Sequence, residues 1–418
     1  MIRIRLPGRA DRLRYCGVQA GPSTTPATWP YAGLDVAGLL ASGWRSTPLH
    51  EVVLKVHQRC NLACSYCYVY EHADQSWRDR PAVMSPEVFA AAVRRLGDHV
   101  RRQGLRRIRV VLHGGEPMLL GAATLGRLAD GVRAAVPETC TVRVGIQTNG
   151  VLLTEAAVRT LRDHDIAVSV SVDGVAEDHD RYRVTHAGRG TYTAVSRALE
   201  LLAAPAFRDG FAGLLCTVAP DTDPARCYRT LRDFGPAAID FLLPHATWST
   251  PPDRGPGVYG RWLTGAFDAW YDDPDPVPVR LFESTLDLLL GGASRSEQIG
   301  LSPVALVVVE SDGAIEQVDA LKTAYPGACA TGLHVAHDDF DTALRHPGIV
   351  ARQLGAGALC AECRACPLHR VCGGGHYAHR YRPETGFANP SVYCAGLRLF
   401  IDHVRARVHA DTRPLPGG

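Results

Sequence analysis

Residues 51–72 read EVVLKVHQRCNLACSYCYVYEH. An apolar, β-rich run, Glu51–His57, ends at a loop carrying Cys60, Cys64 and Cys67 in the spacing C-x3-C-x2-C. Three thiolates on one tight loop are one short of a closed tetrahedral zinc site, and they do not make a set of disulfides. They suit a [4Fe–4S] cube with one iron left without a protein ligand. That open iron can chelate the amine and carboxylate of a small molecule. The competing reading is a coincidental cluster of cysteines on a loop.

Outward from this stretch, β-rich runs alternate with helical ones. After Glu51–His57 come Ile108–His113, Val142–Thr148, Ile166–Val172, Gly213–Val218 and Ile239–Leu243. Helices are expected between them, for example over Pro86–Gln103, where Ser85 is an N-cap ahead of proline, and over Thr154–Arg162. Six buried strands alternating with helices predict a parallel α/β sheet, a partial (β/α)6 barrel of TIM type rather than the closed eight-unit form. In such folds chemistry sits on loops at the C-terminal ends of strands. Residues 1–50 read as an irregular lead-in with a short helix around Leu34–Leu40. Residues 51–245 form the barrel. Residues 246–300 hold a Pro/Thr/Ser/Gly-rich linker and two bridging helices, Tyr259–Tyr271 and Leu281–Leu290. Residues 301–418 open with a hairpin turned at Asp312-Gly313, continue through a cysteine-rich segment and close with a helix to about Val408.

The 418 residues suffice for two or three domains and a core that needs no disulfides. A composition of 46% hydrophobic and 21% charged residues excludes a disordered chain, a coiled coil and a fibre. No apolar run reaches membrane-spanning length, and MIRIRLPGRADRLRYC lacks the apolar core of a secretory signal, so a cytoplasmic protein is expected. A net charge of +2 leaves no footprint for nucleic acid or an anionic membrane. Lys55 and Lys322 are the only lysines, all other basic charge being arginine or histidine, which fits GC-rich codons. Of the 13 cysteines, Cys140, Cys216 and Cys227 read as small buried apolar residues.

With Cys60, Cys64, Cys67 and the aromatic Tyr66 in place, the chain resembles the radical S-adenosylmethionine (SAM) enzymes. In that family the cluster reduces SAM and releases a 5′-deoxyadenosyl radical that abstracts hydrogen from the substrate. The resemblance extends along the barrel. His113-Gly114-Gly115-Glu116-Pro117 is similar to the GGEP element. It implies glycines that let backbone approach SAM, and Glu116 as acceptor for the methionyl ammonium. Gln147-Thr148-Asn149-Gly150 and Ser171-Val172-Asp173-Gly174 follow the third and fourth strands, with Asn149 and Ser171 placed for the ribose hydroxyls. Arg183 stands where the family carries an arginine for the SAM carboxylate. Its plainer reading is a surface arginine. Lys55 and His57 read as barrel residues.

The tail, CAECRACPLHRVCGGGHYAHRY from Cys360 to Tyr381, resembles the SPASM extension of peptide-modifying radical SAM enzymes. That pattern holds C-x2-C-x5-C-x3-C and a distal cysteine, and carries two auxiliary clusters. Cys363, Cys366 and Cys372 keep it, and Cys394 lies at a plausible distal spacing. His376 replaces the next cysteine, and Val318 stands where the upstream hairpin usually has one. The resemblance therefore implies one auxiliary [4Fe–4S] cluster on Cys363, Cys366, Cys372 and Cys394, with Cys329 and Cys360 as strays near the lost site. A zinc knuckle on the same four cysteines is the alternative.

The words YVYEHADQSW (Tyr68–Trp77), VLHGGEP, ESDGAIEQVDALK (Glu310–Lys322), CGGGHYAHRY and SVYC narrow the resemblance to FxsB-type radical SAM/SPASM maturases. These join an aromatic side-chain carbon to the β-carbon of a nearby residue, a cyclophane, in a ribosomal precursor peptide. The implied partners are that peptide and an electron donor such as flavodoxin or ferredoxin. Asp319 is implied as the base that takes the ring proton, with His376 or His379 as substitutes that titrate nearer neutrality. A hairpin-end carboxylate without a role is its plainer reading. Formylglycine formation, as in sulfatase maturation, is the alternative reaction, and a non-catalytic zinc or peptide-binding scaffold the alternative class. No leader-binding domain of ordinary size is expected in the lead-in.

Overall fold

A computed structural model of the chain describes residues 34–412. The lead-in before Leu34, with Cys16, lies outside the described residues. The expected helix near Leu34–Leu40 spans Val36–Ala41.

Six strands run parallel: β1 Glu51–His57, β2 Arg107–Gly114, β3 Thr141–Thr148, β4 Ile166–Ser171, β5 Phe211–Thr217 and β6 Ile239–Leu242. Helices connect them and cover one face of the sheet, where Val52, Leu54, Val110, Leu112, Val144, Ile146 and Val170 are all buried; the other face carries exposed Arg109 and Arg143 and half-buried Gln147 and Ser171. The helix Pro86–Gln103 begins as its sequence dictates. The Ser85 hydroxyl accepts from the Val88 amide, and the helix ends at Gly104 in the left-handed region. Thr154 caps Glu155–Asp163 in the same way.

The sheet does not stop at β1. Its nine strands run in the order β6-β5-β4-β3-β2-β1-β7-β8-β9. β7, Leu306–Val309, pairs parallel with β1, Val53 facing Val308. β8, Ala314–Glu316, and β9, Ala330–His334, continue antiparallel. The hairpin expected at the head of a separate region is thus an edge of the barrel sheet. Val307, Val308 and Val309 are buried between layers, which an exposed hairpin would not allow.

The two bridging helices are observed at Pro256–Tyr271 and Arg280–Leu289. The first packs against the final helix, Cys394–Thr412. Gly260 lies against Gly396, Phe267 meets Phe400 at 6.1 Å, and His403 Nε2 lies 2.8 Å from Asp268. This contact fixes the start of the last helix, and Cys394 with it. Among the described residues no helix is long and apolar enough to cross a membrane.

Candidate active site

At the C-terminal ends of the strands lies a cavity of about 180 Å3 lined by Cys60, Cys64, Cys67, Gly114, Gly115, Asn149, Ser171 and Arg183, among others. The sheet thus gathers residues from β1, β2, β3, β4 and the segment after β4 around one space. The cysteine loop is pinned from outside. Ala63 N donates to Val184 O and Ser65 N to Tyr182 O, tying it to the turn that carries Arg183. The three thiols are free, and burial pushes Cys60 up to about 12 and raises Cys64 and Cys67. Three half-buried thiols on one cavity wall, without a disulfide, form a donor set that fits a metal cluster.

Arg183 donates to the Tyr66 hydroxyl at 2.8 Å, and that hydroxyl donates to Asp173. Asp173 in turn accepts from Thr217 N at 2.9 Å. Tyr66 therefore holds the arginine in place from inside the cysteine loop. The Arg183 Nε is buried and has no partner, a donor left over on the cavity wall that fits a carboxylate. Gln147 Nε2 donates to Ser171 Oγ at 2.9 Å on the same wall. Asn149 Nδ2 donates to Asn61 at 2.8 Å and lies 3.8 Å from Cys60 Sγ, so its side chain faces the cysteine loop.

The GGEP loop works differently from the expectation. Glu116 is fully buried. Its carboxylate accepts from Met118 N at 2.9 Å, Thr148 Oγ1 at 2.7 Å and Asn149 N at 2.7 Å. It clamps the β2 loop onto the end of β3, and with three of its acceptor sites taken it does not line the cavity. The two glycines are also required by protein. A Cβ on Gly114 would collide with the His57 carbonyl, and one on Gly115 with the Tyr70 hydroxyl. Pro117 is buried at the start of the short turn that follows.

Asp319 is not alone. Lys55 Nζ lies 2.7 Å from one carboxylate oxygen and Lys322 Nζ 3.1 Å from the other. Lys322 also meets Glu310 at 2.5 Å, and Arg80 bridges Glu310 at 2.8 Å and Glu316 at 2.5 Å. The result is a buried cluster of three cations and three carboxylates. Burial alone would raise Asp319, but the Lys322 and Lys55 ammonium groups override it and hold the carboxyl well below its usual range. Asp319 is therefore a weak proton acceptor, and it is not on the cavity wall. His113 is on that wall, with its Nδ1 buried and unpartnered. Burial, assisted by Lys55, brings His113 down to about 4, while the Asp319 charge acts in the opposite sense. Sequence reasoning passed over His113; the signal was its place immediately before GGEP. His376 and His379 do not titrate near neutrality either, since burial draws both well below the ordinary histidine range.

In the tail, Cys360 caps the short helix Ala361–Ala365, its sulfur 3.5 Å from Cys363 N. The thiols of Cys363, Cys372 and Cys394 sense neighbouring cysteines, Cys360 among them. The segment thus brings five cysteines together, and Cys360 joins the four expected ones. Cys329 lies apart, its buried thiol donating to Val318 O at 3.3 Å. Cys140, Cys216 and Cys227 are buried apolar fillers, as read.

Residues 54–223 match the family model of the Radical SAM superfamily. The chain is 25% identical over 371 residues to a cysteine-type anaerobic sulfatase-maturating enzyme of Clostridium perfringens, covering 86% of this chain and 97% of that protein. A serine-type anaerobic sulfatase-maturating enzyme of Bacteroides thetaiotaomicron is 24% identical over 397 residues, covering 85% and 89%. The fold superposes on native anSMEcpe with bound AdoMet and Cp18Cys peptide with a TM-score of 0.74, at 24% identity, covering 87% of this chain and 99% of that one. It also superposes on SuiB of Streptococcus suis bound to precursor peptide SuiA, with a TM-score of 0.57, 15% identity and coverages of 86% and 78%. The cofactors that go with this match and fold are SAM and a [4Fe–4S] cluster.

Proposed function

We propose that this radical SAM enzyme modifies a peptide, joining an aromatic side-chain carbon to the β-carbon of a nearby residue in a ribosomal precursor. One observation carries the finer reading. Two of the sequence words that carry the resemblance, Tyr68–Trp77 and Glu310–Lys322, fold onto each other. Asp74 N donates to Lys322 O at 3.1 Å, and Tyr68 lines the cavity near the charge of Asp319.

When bound on Cys60, Cys64 and Cys67, the cluster with SAM supplies a 5′-deoxyadenosyl radical able to take hydrogen from an unactivated carbon. Arg183, steadied by Tyr66, would hold the SAM carboxylate, and Gln147 and Ser171, on the same wall, would meet its ribose. Asn149 orients the cysteine loop through Asn61. Forming the carbon–carbon bond removes two hydrogens from the peptide. One would leave as an atom, which bound SAM would supply the radical to accept. The other would leave the ring as a proton to His113, and an auxiliary [4Fe–4S] cluster, which Cys363, Cys366, Cys372 and Cys394 would hold, would supply the acceptor for its electron. The Asp319 charge favours protonation of His113, against burial and the Lys55 ammonium. The precursor peptide and a flavodoxin or ferredoxin are the partners, in the cytoplasm.

A second reading, oxidation of a cysteine or serine to formylglycine, is favoured by the sulfatase-maturating relatives. Incubation with a candidate precursor peptide carrying aromatic residues near its C-terminus separates the two. A product lighter by two hydrogens, uncut within the cross-linked loop in tandem mass spectrometry and unreactive to a hydrazide, supports the cross-link. A hydrazide-reactive aldehyde supports the second reading and overturns the first.

A further inference from the structure

The face of the sheet that carries Gln147 and Ser171 runs on toward the N-terminal ends of the strands. Side chains alternate along a strand, so Arg143 and Gly145 share this face with Gln147, and Ala167 and Ser169 share it with Ser171. Arg143, Gly145, Ala167, Ser169 and Gly213 line a second cavity, of about 260 Å3. The interior of a closed barrel is filled by bulky branched side chains, and here the small residues keep it open. Leu215 lines both this cavity and the active one. A third cavity, of about 570 Å3, completes the passage. It shares Leu242, Leu243 and His245 with the active cavity, and Arg109, Asp240 and Arg280 with the second. His245 meets the tail there, its Nδ1 3.2 Å from His379 Nε2.

The charges along this passage are unevenly matched. Arg109, Arg143 and Arg280 stand around the second cavity with Asp240 as its carboxylate. Arg280 lies 3.5 Å from Asp240, and Arg109 lies 3.4 Å from Glu51. The other acids of the third cavity are paired as well, Glu283 with Arg295 at 3.8 Å and Glu297 with Arg352 at 2.5 Å. Among the described residues the Arg143 side chain has no ion pair or hydrogen bond. Arg143 stands in register with Arg109 on the neighbouring strand. Like charges directly opposite each other repel, and an anion between them relieves the pair. The chain's own lead-in has the wrong charge for this place, with five arginines and one aspartate before Leu34.

We propose that Arg143, with Arg109 beside it, binds a carboxylate of the peptide whose reacting residue lies in the active cavity. The proposal rests on the substrate being a peptide, and not on which bond is made. From Arg143 to Gln147 the strand rises ~13 Å. An extended peptide covers that distance, with the reach into the active cavity, in roughly four to six residues. The substrate therefore carries an aspartate or glutamate at that separation, or ends there in its C-terminal carboxylate. A guanidinium takes either group through paired N–H···O bonds.

The test is anaerobic fluorescence anisotropy on the full chain with its iron–sulfur clusters and SAM, without reductant, so that no turnover enters. The probes are labelled copies of the candidate precursor peptide with a glutamate placed at each position in turn, their glutamine counterparts, and C-terminal amides of both. Glutamate roughly four to six residues from the aromatic residue should bind about 10-fold tighter than glutamine there. Arg143→Gln should bind the two alike, and Arg143→Lys, which keeps the charge, should keep the preference. Where amidation instead costs the affinity, in wild type and not in Arg143→Gln, the carboxylate is the C-terminus. Equal binding of all the peptides by wild type overturns the subsite and leaves the peptide reading standing. So does a preference that survives in Arg143→Gln. Wild type that binds none of them counts against the peptide reading itself, and the subsite falls with it. The wild-type comparison stands whether or not a variant folds.

Discussion

Lys55 and Lys322, the only lysines of the chain, end in one buried ion cluster. Lysine's compact ammonium can meet carboxylates of different residues in a tight space where the planar guanidinium fork cannot. Composition made arginine the default cation, yet it did not reach these two positions. Asp319→Asn removes one of three carboxylates and strands Lys55. Cross-linked peptide per 5′-deoxyadenosine should fall ~10-fold or more, because the His113 imidazolium loses its counter-charge, while SAM cleavage continues. Mass spectrometry of both products under one reductant reads this, and an unchanged ratio would leave Asp319 with a structural role alone. His113 also sets a pH dependence. Its folded pKa, about 4, lies below the ordinary value near 6.5, so the unfolded chain binds more protons between these values. Stability from this residue is therefore full above about pH 6.5 and is lost as pH falls toward 4. His113→Gln should narrow the gap in unfolding midpoint between neutral and acid pH, a contribution of ~3 kcal/mol at most. An identical acid sensitivity in the variant would contradict it. At this scale the cluster cysteines were legible because their spacing is local. The Lys55–Asp319–Lys322 contact was not, because sheet pairing alone brings residues so distant in sequence together.

At the scale of elements, the loop after β2 is the sharpest test. Gly114 packs against the His57 carbonyl, and Glu116 ties the loop to β3. Gly114→Ala forces β1 and β2 apart at the cysteine loop, an overpacking cost of about 1–3 kcal/mol. The expected result is a lowered melting temperature and SAM cleavage reduced well below wild type, with the tail iron retained. Wild-type cleavage in Gly114→Ala would show that the glycine serves neither packing nor ligand. The six parallel strands were legible because each is a short β-branched and apolar run that alternates with a helical stretch. β7 was legible as a strand but not as a neighbour of β1, since the run from Val304 to Val309 reads the same in a free hairpin. The role of Glu116 was hidden for a related reason. A motif names a residue but does not say whether its hydrogen bonds go to a ligand or to backbone amides.

At the scale of the molecule, one sheet carries the cysteine loop at its centre, while the tail, held by the Pro256–Tyr271 and Cys394–Thr412 helices, brings a second set of cysteines to a separate place. The two sets share no residue, so their metal contents should be independent. The barrel and the cysteine-rich tail were both visible in the sequence. Their fusion through β7, and the meeting of His245 with the tail, were not, because both depend on which edge of an open barrel the chain returns to. The account rests most directly on radical formation at Cys60, Cys64 and Cys67. The measurement is 5′-deoxyadenosine formed from SAM under dithionite by anaerobically reconstituted wild type and Cys64→Ala, with iron counted in each. The account predicts about eight irons per chain and steady 5′-deoxyadenosine for the wild type, and about four irons with none formed for the variant. Formation of 5′-deoxyadenosine by Cys64→Ala at the wild-type rate would contradict it.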